Sequence, residues 1–452
     1  MNSNSSSIER LIMNHGPSNH MGPPVRFSGG QIQFFFLCLL WIYFSFKPEW
    51  TIPGLKFIAP GQTLIQLFLL VAWVFYPGKK LRNPITKYFF LLILLVAVSL
   101  FFARNRGVGM NVIRGFPLMY VTYLSTITFA NTPKRLFTLT NIFLLGNLWI
   151  AFLGIQGQGL ARGVTIYDDQ NDLALQMNIV FPIAIFLAIK ERRLPMKLLY
   201  LASGLSFLGA NIIGLSRGGF VGLVAVLCFV LLRLPIAKLK TVLLISLIVG
   251  GIIFFVPKAY WDEIRTLREG TKEATADSRI FYWKVATRMF IDHPFIGVGP
   301  GNFGVWLPDY VRPDDKMSDG SEVSGYTRRW GRVCHSIYFT VLSELGVIGV
   351  VLFNLMVYWA FREIKLGTAI VSRIKVTGYI DRGAGEKNAP YDERYEKLRS
   401  LGLGIMGGLI GFLVSGAFLS VLFYPQFWIL CSFSTALGNL TKDLSDGKNG
   451  GG

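Results

Sequence analysis

The stretch whose reading decides this chain begins at Asp277-Ser278-Arg279, passes Trp283 and reaches Asp292-His293-Pro294-Phe295-Ile296-Gly297-Val298-Gly299-Pro300-Gly301-Asn302-Phe303. After a polar insert it closes in Arg332-Val333-Cys334-His335-Ser336-Ile337-Tyr338 and Ser343-Glu344-Leu345-Gly346-Val347-Ile348-Gly349, which opens onto an apolar run. It is the longest polar excursion in the sequence and carries two of the four histidines. On either side, apolar runs of bilayer length alternate with short loops, so the stretch reads as a loop between membrane helices.

Working outward, 452 residues at 52% hydrophobic content contain too many uninterrupted apolar runs for a set of soluble domains. The runs fall at about 31–46, 57–76, 87–103, 110–130, 135–155, 172–189, 196–215, 218–234, 239–256, 336–360, 400–420 and 422–439. The expected fold is therefore all-α: a polytopic integral membrane protein with about twelve transmembrane helices and one long periplasmic loop between helices 9 and 10. Residues 1–30, rich in Ser, Asn, Gly and Pro, read as a disordered cytoplasmic tail and not as a cleavable signal peptide. Residues 31–256 are assigned to helices 1–9 and 257–335 to the loop domain. Residues 336–440 are assigned to helices 10–12, with a cytoplasmic loop at 361–399, and 441–452 to a cytoplasmic tail.

A net charge of +19 with the cations in short loops favours anionic headgroups or a phosphate-bearing substrate as partners, and no basic-aromatic pattern points to nucleic acid. The scattered cysteines, Cys38, Cys228, Cys334 and Cys431, suggest neither a disulfide framework nor a zinc site. With both termini cytoplasmic, the inner loops gather Lys79, Lys80, Arg82, Lys87, Lys134, Arg135, Lys190, Arg192, Arg193, Lys197, Arg233, Lys238 and Lys240. The short outer loops keep only Lys47, Lys56, Arg104, Arg106, Arg114, Arg162 and Arg217. That asymmetry puts the long loop outside the cytoplasm.

Arginines in short outer loops need an acid or an anion to hold. Arg162 precedes Asp168-Asp169-Gln170-Asn171-Asp172, so an internal salt bridge, with Asn171 or Asp172 capping helix 6, competes with anion binding. Arg217 has no acid nearby in sequence: Gly214-Leu215-Ser216-Arg217-Gly218-Gly219 is a tight break where Ser216 can cap a helix whose N-terminus adds positive charge. The alternative there is a packing turn with a snorkelling arginine. Arg279 follows Asp277-Ser278, a helix start in a segment, Lys258 to Arg288, expected to lie along the membrane interface; its alternative is a salt bridge with Asp277. His293 reads as structural. Gly297–Asn302 lacks the Lys-Ser or Lys-Thr of a phosphate loop and reads as a turn that redirects the chain. Residues 308–332 read as a lid or acceptor-binding surface. His335 stands where the loop enters helix 10, and nearby arginines would favour its neutral, proton-accepting form; a capping histidine is the alternative. Glu344, an intramembrane carboxylate, requires a partner.

Five segments in this order resemble the O-antigen ligase and polymerase superfamily: Tyr167-Asp-Asp-Gln-Asn-Asp-Leu-Ala, Ser216-Arg-Gly-Gly-Phe, Ser278-Arg279 with Trp283, Pro294 to Phe303, and His335-Ser-Ile-Tyr with Glu344 to Gly349. Its members include lipopolysaccharide O-antigen ligases, O-antigen polymerases and protein O-glycosylation ligases. The resemblance implies a metal-independent, inverting glycosyltransferase of the bacterial inner membrane, with its active site facing the periplasm. It would move a glycan from undecaprenyl diphosphate to an acceptor hydroxyl, lipid A core oligosaccharide before a growing glycan or a protein. It places Arg217 and Arg279, with Arg162 as a third, on the donor diphosphate and His335 as general base; Tyr338 and Glu344 are expected to support them. No cofactor or metal is implied, since Asp168-Asp169 is adjacent and not spaced. A transporter or flippase of polyprenyl-linked glycans is the rival from another class, but no internal repeat is found and the unusual arginines gather at one face.

Overall fold

The computed structural model describes residues 30–446 apart from 53, 162, 163, 165, 166, 168, 235–274, 317–321, 324, 326, 327, 329 and 381–389. The tail expected at 1–30, the apolar run at 239–256, the interfacial segment up to residue 274 and Arg162 thus lie wholly or almost wholly outside the described residues. The helices that position the site are α1 (Gln31–Phe46), α2 (Ala59–Phe75), α3 (Pro84–Phe102), α4 (Arg106–Ile113), α5 (Phe116–Phe129), α6 (Pro133–Gln156), α7 (Gln170–Lys190), α8 (Leu194–Ile213), α9 (Arg217–Arg233), α10 (Thr275–Asp292), α11 (Phe303–Tyr310), α12 (Ile337–Ile380), α13 (Pro390–Gly416) and α14 (Pro425–Ser445). There is no strand among the described residues, only an isolated bridge between Lys316 and Glu322.

Among the described residues, seven helices are long and apolar enough to cross a membrane, and α1 is a shorter apolar helix. The chain is an all-α polytopic membrane protein. Helix starts follow local chemistry. Asn83, Thr132, Asp169 and Ser216 each accept a backbone N–H as N-caps, and proline occupies the first turn of α3, α6 and α14.

Two boundaries differ from the sequence reading. The run at 110–130 is two helices, because Pro117 in the first turn of α5 starts a new helix after Gly115. Most of 361–399, expected as a loop, is helical: α12 runs on to Ile380 and α13 begins at Pro390. Burial explains the first extension, since Glu363 is 1% exposed and accepts hydrogen bonds from Lys442 of α14 at 2.9 and 3.2 Å, beside buried Ile364 and Val371.

The core is centred on α7, which packs along α13, α8 and α9. Gly404, Gly408 and Gly411 of α13 face the α7 backbone so closely that an added Cβ would lie 2.6–2.8 Å from backbone atoms of Asn178, Ile179 and Ile183. Small residues at this spacing let membrane helices approach and gain dispersion contact that lipid cannot supply. Asn178 ties four helices together: it donates to Gly219 O of α9 at 2.7 Å and Ser415 Oγ of α13 at 3.0 Å, and accepts from Asn211 of α8 at 2.8 Å.

The bundle is polar end to end. At one end Gly159 meets Gly214, Ser216 meets Asn171, Gly218 meets Phe418, and Gly416 meets Ile337. The other end holds the ion pairs Lys80–Asp443, Lys190–Glu396, Lys397–Glu191 and Lys442–Glu363.

Candidate functional site

Three segments converge at the end opposite those ion pairs. The first is the α8–α9 break. Leu215 takes a left-handed backbone (φ 48°), and Ser216 then caps α9, its Oγ accepting from Gly219 N at 2.9 Å and donating to Asn171 Oδ1 at 2.7 Å. Arg217 is the first residue of α9, half-buried beside that N-terminus. The second segment is α10, where half-buried Arg279 lies with its guanidinium 6.0 Å from the Phe418 ring centroid. The third is the start of α12. His335 also takes a left-handed backbone (φ 52°), and its ring lies 6.1 Å from that of Tyr282. A positive φ at a bulky residue costs on the order of 1 kcal/mol, so both Leu215 and His335 are held against local preference by their surroundings.

Electrostatic contact joins the segments. Arg279 is held below its ordinary value by burial first and next by Arg217, with Asp169 opposing. Burial, then Arg279 and Arg332, lowers the His335 imidazole from 6.5 to about 4, while Asp169 pulls the other way. The sequence reading named the arginines as the cause; burial contributes more. Arg217, Arg279 and His335 therefore share one half-buried, electropositive neighbourhood, with Asp169 as its carboxylate.

Tyr338 and Glu344 do different work. Tyr338 OH donates to Leu413 O of α13 at 2.8 Å. Buried Glu344 accepts from Gly301 N at 2.8 Å and from Phe303 N at 3.3 Å. Its partners are thus in the glycine-rich run, which forms a strap across α12. Val298 N donates to Ser343 O, Gly299 N to Glu344 O and Val347 N to Pro294 O, at 2.8–3.1 Å. The strap crosses where Gly346 (φ 62°, ψ −164°) breaks the helix, and a Cβ there would lie 2.5 Å from the Phe295 carbonyl. The N–H groups of Gly301 and Phe303 are already spent on Glu344, so the strap is no phosphate cradle. The insert is pinned separately: Asp315 receives a bidentate pair from Arg288 at 2.6 and 2.7 Å, Lys284 at 3.1 Å and Arg312 N at 2.8 Å.

Residues 180–354 match the O-antigen ligase family model. The match spans Arg217, Arg279 and His335 and supports the resemblance to the O-antigen ligase-like superfamily. No curated protein matches the chain in a sequence search.

Asp169 lies before the O-antigen ligase match and was read from sequence only as part of an acidic run. The structure makes it, and not Asn171 or Asp172, the N-cap of α7, accepting from Asn171 N at 2.7 Å. Asp172 shares a hydrogen bond with Tyr424. Arg332, which closes the insert, is one of the arginines that lower His335. Among the described residues no group of three or more His, Cys, Asp or Glu is placed to hold a metal ion.

Proposed function

We propose that the chain is an inverting glycosyltransferase that moves a glycan from undecaprenyl diphosphate to an acceptor hydroxyl at the periplasmic face of the inner membrane, lipid A core oligosaccharide being the preferred acceptor. One observation carries the reading. Two arginines lie near each other in a half-buried site beside a helix N-terminus and a low-pKa histidine, with the Asp169 carboxylate close to both Arg279 and His335. Like charges gathered against their own repulsion suit a ligand of high negative charge.

Arg217 and Arg279 grip the diphosphate. As the bond from the anomeric carbon to the diphosphate oxygen breaks, its electron pair moves onto the leaving group, and fixed guanidiniums stabilise that charge more than the ground state. His335, neutral at physiological pH, takes the proton of the attacking hydroxyl as the new glycosidic bond forms; one displacement inverts the anomeric centre. No metal is given a step, the arginines supplying the positive charge. Arg162 is a third candidate for the diphosphate. Lys79, Lys80, Arg82, Lys134, Arg135, Lys190, Arg192 and Arg193, all in loops or helix ends at the opposite end, support placing the site outside the cytoplasm, with 239–256 as a further span and 257–335 as the external loop domain.

The test is a reaction of the purified full chain with lipid-linked glycan and separate acceptors: lipid A core, further lipid-linked glycan, and a protein. Undecaprenyl diphosphate released with lipid A core alone is the expected result. Release with another acceptor reassigns the protein as a polymerase or protein ligase, and no release with any acceptor overturns the transferase reading.

A further inference from the structure

At the end of the bundle away from the site, α6, α7, α8 and α13 line an open cleft of about 400 Å³. Its charged lining is Lys134, Arg193, Lys397 and Glu191. Lys397 is already engaged, bonding Glu191 at 2.9 Å and Glu393 at 2.7 Å. Lys134 and Arg193 form no ion pair with a carboxylate among the described residues. Arg193 also precedes α8 as an N-cap without a side-chain bond to its first turn, so the N-terminal N–H groups of α8 add partial positive charge at the same mouth. Tyr200, whose OH donates to Asn141 at 2.7 Å, supplies further polar atoms.

Thr138 and Asn141 are the cleft's other polar residues, and Phe137, Leu187 and Met196 its apolar ones. From the mouth, Leu194, Leu198, Leu201 and Leu205 form one exposed ridge along α8, 38–68% accessible. Two cations with no carboxylate partner among the described residues, continuous with an apolar ridge running along a spanning helix, match the two halves of a phospholipid. A soluble anion would have no use for the ridge.

We propose that this cleft is a binding site for the phosphate headgroup of an anionic phospholipid, with Lys134 and Arg193 on the phosphate and an acyl chain along the α8 leucines. The site is separate from the proposed donor site, and its occupancy ties α8, which leads into Ser216-Arg217, to the surrounding membrane.

The test is native mass spectrometry of the detergent-solubilised full chain titrated with phosphatidylglycerol or phosphatidylcholine. Wild type should retain phosphatidylglycerol in preference to phosphatidylcholine, and K134Q/R193Q should weaken that binding by about 30-fold. R233Q, at the same end but outside the cleft lining, should bind like wild type. If the double variant does not accumulate, K134Q alone, at an exposed position, should weaken binding about 5-fold. Equal binding of the two lipids, unchanged binding by K134Q/R193Q, or displacement of the lipid by millimolar inorganic phosphate each overturns the proposal.

Discussion

His335 provides the most direct test of the site. Its imidazole is lowered from 6.5 to about 4, a bias of roughly 3 kcal/mol toward the neutral form. At pH 7 about one ring in a thousand would be charged. The sign for stability follows: the unfolded chain binds a proton below 6.5 that the fold refuses until about 4. This group's contribution is therefore fully present above pH 6.5 and is lost as pH falls toward 4. Diethyl pyrocarbonate modifies a histidine only when its imidazole is neutral, and peptide mass spectrometry reads His335 separately from His293. Without donor, His335 should keep its full reactivity down to about pH 5, in contrast to an ordinary histidine titrating near 6.5. Arg279→Gln should raise the midpoint, but only by about half a unit to one unit, because burial is the larger cause. A bound diphosphate would raise it too, so the acid limb of kcat should lie at higher pH than that of kcat/KM. A midpoint at or above 6 in the free protein, or no response to Arg279→Gln, refutes the account of a buried imidazole facing that guanidinium.

Further outcomes are expected. Arg217→Ala, Arg279→Ala and His335→Asn should each abolish glycan transfer while the protein still accumulates in membranes, Asn being chosen because it tolerates the left-handed backbone. Arg217→Lys should also be poor in the same assay, since a point charge loses bidentate phosphate contact. Glu344→Ala leaves the N–H groups of Gly301 and Phe303 without their acceptor and should cost about 3 kcal/mol in denaturant unfolding, read by tryptophan fluorescence. Gly346→Ala, which places a Cβ against the Phe295 carbonyl in a conformation only glycine adopts, should sharply reduce folded protein in size-exclusion profiles. Asp315→Ala leaves Arg288 largely buried without its bidentate partner and should free the insert to limited proteolysis while the bundle stays folded.

The asymmetry between Arg217 and Glu344 shows what was legible in one dimension. Arg217 could be singled out because a lone cation between glycines in an apolar chain is expensive, and that cost depends only on local composition. Glu344 was equally conspicuous, but its partners, Gly301 and Phe303, are separated from it by the whole insert. Asp169 was passed over because an acid in an acidic run carries no local signal; its significance is its place near Arg279 and His335.

Hydropathy and cap chemistry act over one or two helical turns. The sequence alone therefore determined that this is a bundle of membrane helices, where most of them begin, and which short motifs are unusual for such a setting. Helix continuation past residue 360 depended on Glu363 finding Lys442, and the break at Gly346 on a strap more than forty residues upstream. The meeting of Arg217, Arg279 and His335 depended on α9, α10 and α12 sharing one end. Those are long-range contacts, set by which helix faces can approach closely, and only the tertiary structure decides them.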